Sequence, residues 1–135
     1  MTTTAIQPTA SASVTGRHVV AGRVVTGALS AFLVVDAGGK LLRTGPSVEG
    51  THALGFADAH VVLIGALLAA GLALHLVPRT AFVGAVYLTA YFGGAVAAHV
   101  RQDNVGSVVF TVLFAVAVWV GYVLREPRVR HLVLG

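Results

Sequence analysis

Asp36 and Lys40 stand four residues apart near the end of an otherwise apolar run. On a helix that spacing puts a carboxylate and an ammonium one turn apart on the same face, where they can pair. Pairing matters because an ionisable side chain at mid-membrane costs about 2.5–3.5 kcal/mol on insertion scales, and a partner offsets part of that cost. The competing reading ends the helix at Gly38-Gly39 and leaves both residues in wet loop; spacing alone leaves the two open. His60 and His99 form a second constellation, with Asp58, Arg101 and Asp103 close to them in sequence. Two imidazoles at one depth on neighbouring helices can ligate haem iron or a transition metal, with Asp58 as a third ligand. The bland reading is stronger: His, Asp and Arg at the ends of spans are usually wet interfacial residues, and no HxxxH spacing supports a metal. The expectation is therefore no metal site and no resident cofactor, with haem or metal at His60 and His99 as the minor alternative. Tyr87 and Tyr91, one turn apart in a span, need hydrogen-bond partners and are expected to find them in the core.

No catalytic template accompanies these residues. GxSxG, HExxH, the P-loop, the dinucleotide fingerprint and a paired intramembrane carboxylate are all missing, so no catalytic residue is expected. With no cysteine, disulfides, thiolate nucleophiles and iron–sulfur clusters are excluded.

The elements that must position these side chains are hydrophobic. Of 135 residues, 56% are hydrophobic and 10% charged, with mean hydropathy +0.86. A soluble domain carries about 25% charged residues, so lipid, not water, is the expected surroundings. The formal charge of +4 is nine basic residues against five acidic ones, and the basic residues are scattered, forming no basic face for nucleic acid. Four apolar runs are visible: 19–35, continuing less cleanly to 42, then 59–77, 80–100 and 105–124. Each approaches the roughly 20 residues that cross a hydrocarbon layer as a helix. Helices are the expected form, because period-2 alternation is absent and an open strand in lipid leaves its backbone unbonded. A cleaved leader competes for the first run, since Arg17 and Arg23 precede it, but a polar tail lies ahead of them and no clean small-x-small site follows.

Counting from Arg23 as one interface, Asp36 lies about 20 Å up the first helix and Lys40 about 26 Å, still inside a layer of roughly 30 Å. The expected domains are a disordered tail at 1–16, a four-helix membrane domain at 17–126 and a short basic tail at 127–135. The joins at Pro78-Arg79 and Gln102 to Asn104 are tight, whereas Leu42 to Asp58 is long and holds Pro46 and three glycines. Six basic residues (Arg17, Arg23, Arg79, Arg125, Arg128, Arg130) stand on one side against three (Lys40, Arg43, Arg101) on the other, which places both termini in the cytoplasm. Small residues at strict fours, Ala81, Ala85, Thr89, Gly93 and Ala97, with Gly65, Ala69 and Ala73, are expected to face each other or a neighbouring helix. Trp119 and Tyr122 read as interfacial anchors.

Pro78-Arg79-Thr80-Ala81, Gly84-Ala85 and the run Tyr91-Phe92-Gly93-Gly94-Ala95-Val96-Ala97-Ala98-His99-Val100-Arg101 resemble the DoxX-like family of small four-helix membrane proteins. So do Asp36-Ala37-Gly38-Gly39-Lys40-Leu41, Pro46, Val48-Glu49 and Leu54-Gly55-Phe56, over about Gly27 to Arg130. The resemblance implies an all-α, antiparallel four-helix transmembrane bundle with a long outer loop between the first two helices. It also implies that Asp36 and Lys40 pair at the end of the first helix. Leu68 stands where the family often has a glutamate. The family name points to a thiosulfate:quinone oxidoreductase subunit, implying redox association without a reaction.

Two functions compete. One is a non-catalytic subunit or assembly partner of a larger, respiratory or redox, membrane complex. The other is a binding or transport module for a quinone, lipid or other anionic small molecule, with an outer cavity lined by Asp36, Lys40, Glu49, His60, His99 and Arg101. An enzyme acting at that cavity ranks third. Expected partners are membrane lipid and other membrane proteins or further copies of the chain, in the inner (plasma) membrane of a bacterium.

Overall fold

The computed structural model describes residues 10–135, with side chains from residue 16 onward. Its elements, in order, are α1 (Ala10–Leu41), α2 (Gly45–Ala53), α3 (Asp58–Leu76), α4 (Ala81–Arg101), α5 (Val105–Arg125) and α6 (Pro127–Leu134). No strand occurs among the described residues. Gly16–Leu41, α3, α4 and α5 are each long and apolar enough to cross a membrane. At 1.5 Å per residue, 19 to 26 residues span about 28–39 Å, enough for a hydrocarbon layer.

The four long helices form a ring in which α1 packs on α3 and α5, and α4 packs on the same two. Their inward residues follow the helical period: Leu29, Leu33 and Ala37 from α1, Leu68 and Leu72 from α3, Ala85, Leu88 and Phe92 from α4, and Val118 from α5. Val34, Val35, Leu63, Phe82 and Leu113 point outward, the apolar exterior that a helix in lipid presents.

Glycines set how closely the helices approach. A Cβ on Gly84 would lie 2.2 Å from the His75 backbone nitrogen, and one on Gly121 would lie 2.5 Å from Thr26 Oγ1. One on Gly65 would lie 2.7 Å from Lys40 Cβ. Backbones thus meet where only a hydrogen fits, at the α3–α4, α5–α1 and α3–α1 crossings.

Several expectations are corrected here. α1 begins at Ala10, so the last residues of the segment expected to be a disordered tail are helical, an Ala- and Ser-containing extension that continues the span; residues 1–9 lie outside the described residues. The expected long loop contains α2, started by Thr44 in extended conformation and by Pro46, whose fixed φ suits a first turn. The expected basic tail is helix α6, opened by Pro127, and Arg130 within it is buried. The stripe of small residues does not keep to one face. Ala81 and Ala85 are buried, whereas Thr89, Gly93 and Ala97 are exposed. A step of four residues turns a helix about 400°, so a strict-four stripe drifts about 40° per step and leaves the core within three. Gly65 meets α1, in keeping with the neighbouring-helix alternative.

Candidate functional site

The end of the bundle nearest α2 is hollow. A cavity of about 620 Å³ lies between α1, α3, α4 and α5, with α2 as its roof. Its walls come from helix faces in register. Phe32, Asp36 and Lys40 recur every four residues along α1, and Tyr91, Ala95 and His99 do the same along α4. Phe110 and Phe114 continue the wall on α5, Ile64 and Leu67 on α3, and Ser47, Gly50 and Thr51 close it from α2.

α1 continues through Gly38-Gly39, and Lys40 Nζ donates to Asp36 Oδ1 inside the wall. The Lys40 side chain is 15% exposed and that of Asp36 34%. Gly39 permits α2 to lie close by, since a Cβ there would sit 2.4 Å from Ser47 Oγ. His99 lines the cavity from the last turn of α4, and its Nδ1 is buried without a hydrogen-bond partner. Three of the lining hydroxyls are satisfied locally. Thr51 Oγ1 donates to the Ser47 carbonyl at 2.7 Å, Thr111 Oγ1 to the Ser107 carbonyl at 2.8 Å, and Ser47 Oγ accepts from Thr44 Oγ1 at 3.1 Å.

Of the six expected binding residues, Asp36, Lys40 and His99 share this cavity, and Glu49, His60 and Arg101 lie outside its lining. Glu49 is exposed on α2. His60 is exposed, its ring edge-on to Phe56 at 6.4 Å. Arg101 Nη2 donates to the Leu54 carbonyl at 3.0 Å, so its charge fastens the α2–α3 join rather than facing the cavity. That join turns at Gly55, whose φ of 82° favours glycine. On the other flank, Arg43 Nη2 meets Asp58 Oδ2 at 2.5 Å and His52 Nε2 lies 3.4 Å from Asp58 Oδ1. His60 and His99 therefore do not share a wall, and among the described residues no group of three His, Cys, Asp or Glu could hold a metal ion. Missed by the sequence reading were Tyr91, the phenylalanines and the α2 hydroxyls; the spacing 91, 95, 99 carried the signal for Tyr91.

At the opposite end, His75 is fully buried between α3, α4 and α5. Its Nδ1 lies 3.2 Å from the Ala81 carbonyl and its Nε2 lies 3.3 Å from Arg125 Nη2. These fit one tautomer, Nδ1–H donating to the carbonyl and Nε2 accepting from the guanidinium. Trp119, expected as an interfacial anchor, donates instead from Nε1 to Thr89 Oγ1 at 2.8 Å, joining α5 to α4.

Four apolar helices around a partly polar hollow define a multi-pass helical membrane protein. A model of the DoxX-like family matches residues 24–121, well over half of the chain, and the chain belongs to that family. Leu68 is fully buried in the core. No curated protein matches the chain and no solved structure does.

Proposed function

We propose that the protein is a membrane-embedded binding module whose ligand enters the cavity under α2. The observation that carries this reading is the cavity itself: about 620 Å³, apolar over most of its wall, with Asp36, Lys40 and His99 among its few polar lining residues. Ligand sites of about 300–1,000 Å³ with a few convergent polar groups are the usual form for small molecules. The bundle is antiparallel, with α2 on the outer side of the bacterial plasma membrane and both termini cytoplasmic, as the six-to-three distribution of basic residues favours. A reporter fused after Gly135 that proved periplasmic would overturn this orientation.

Purification in mild detergent, followed by mass spectrometry of extracted small molecules, tests the function. Gly94 lines the cavity and a Cβ there meets nothing within 4 Å, so Gly94→Phe fills the space without a backbone clash. The expected result is a small molecule that co-purifies with the wild-type chain and is absent from Gly94→Phe.

The second reading, an accessory subunit of a larger complex or an oligomer, is favoured by the groove between α4 and α5, where Gly93, Val112 and Val116 lie uncovered. Co-purification of a stoichiometric membrane protein, lost in Gly93→Leu, would support it. The two readings are compatible.

A further inference from the structure

The cavity wall is chemically lopsided. Its body is aromatic: the ring centroids of Phe32 and Phe114, and of Phe110 and Phe114, are 4.7 Å apart, and Phe92 lies 6.1 Å from Phe114. These rings are tilted 50–57° to one another, so no face is consumed by parallel stacking and an inserted flat body can meet both faces and edges. Its polar tip carries no spare charge. Lys40 is closed on Asp36, and Arg101, whose charge could otherwise attract an anion, is held outside on the Leu54 carbonyl. An anion in this space would lose its hydration and meet an ammonium already neutralised. Among the lining residues, His99 Nδ1 is the one buried polar atom without a partner. A neutral imidazole nitrogen donates or accepts according to its tautomer, and a hydroxyl satisfies either.

Resting on the binding reading above, we propose that the ligand is a neutral, ring-bearing lipophile with a hydroxyl group, its ring among Phe32, Phe92 and Phe114 and its hydroxyl on the His99 imidazole. This departs from the expectation that Lys40 and Arg101 together supply positive charge to a quinone carbonyl, a carboxylate or a phosphate. The aromatic wall takes the apolar body out of lipid contact at little cost, and the specificity resides in one hydrogen bond.

Three probes separate the possibilities: 4-octylphenol, its methyl ether and 4-octylbenzoate, bound to the full chain in phosphatidylcholine nanodiscs and corrected for empty discs. The phenol is expected to bind saturably and the ether about tenfold more weakly, because an aryl ether has no hydrogen to give an accepting nitrogen and its oxygen is a poor acceptor for a donating one. The benzoate is expected to bind no better than the ether. His99→Leu should abolish the preference for phenol over ether while keeping the ether's affinity, which also shows that the variant is folded. Equal binding of phenol and ether, or tightest binding of benzoate that is lost in Lys40→Met, would overturn the ligand class and leave the cavity reading standing. No saturable binding of any probe, unchanged in Gly94→Phe, would overturn both.

Discussion

The two ends of this bundle are built from the same four helices and behave oppositely. At the α6 end the helices close on one another: Gly84 lets α4 lie against the His75 backbone, Gly121 lets α5 lie against Thr26, and the buried His75 is bonded on both ring nitrogens. At the α2 end Gly65 and Gly39 still hold α3 and α2 close to α1, but the helices leave a hollow beside them, and on its wall a Cβ on Gly94 would meet nothing within 4 Å. A glycine that faces a backbone pulls two helices together; one that faces a gap merely declines to fill it. The difference teaches that small residues in a membrane helix have no fixed meaning until the facing element is known.

The pair Gly84 and Gly94 offers the sharpest way to break that contrast. Gly84→Ala places a methyl 2.2 Å from the His75 backbone nitrogen and is expected to cost about 3 kcal/mol or more, read as loss of thermal stability in detergent. Gly94→Ala is expected to be neutral or to stabilise by up to about 1 kcal/mol, because alanine is the better helix former and nothing stands in its way. Equal effects at the two sites would erase the distinction between the ends.

Next in size is the charge pair at the hollow end. Asp36→Ala strands the Lys40 ammonium, and because a third of the Asp36 side chain is exposed the expected loss is about 1–3 kcal/mol, below that of a fully buried pair. The double change with Lys40→Ala should recover part of it. At the closed end, Arg125→Met removes the donor to His75 Nε2 and should cost about 1–2 kcal/mol in the same assay, with probe binding at the other end unchanged. The smallest effect is expected at Asn104→Ala, which removes the cap that accepts from the Ser107 amide at 3.0 Å and costs about 1 kcal/mol.

What sequence made legible follows from range. The four spans rest on apolar runs, a property of one helix, and stand in the structure; the Asp36–Lys40 pair also stands, but i, i+4 spacing left it open against a loop and the family resemblance favoured it. The membership of His60 and Arg101 in a shared site rested on depth alone. Depth says how far along a helix a side chain lies but not which way it points, and Arg101 turns to the α2–α3 join while His60 stays exposed. Rotation was readable for α4: residues 91, 95 and 99 share a face, which places Tyr91 below His99, yet an aromatic in a span was expected in the core. The helix inside the glycine-rich join was hidden because its apolar pattern is too short and too interrupted to show a period.

The most direct measurement is photo-crosslinking of the full chain in nanodiscs with a tritiated 4-alkylphenol carrying a diazirine on its chain, the labelled peptides being mapped by mass spectrometry. Labelling concentrated on 32–40 of α1, 91–99 of α4 and 110–114 of α5, and lost in Gly94→Phe, is the predicted result. Labelling spread over the outward faces at Val35, Leu63 and Leu113, or confined to the His75 and Arg125 end, and unchanged in Gly94→Phe, would contradict a ligand site under α2.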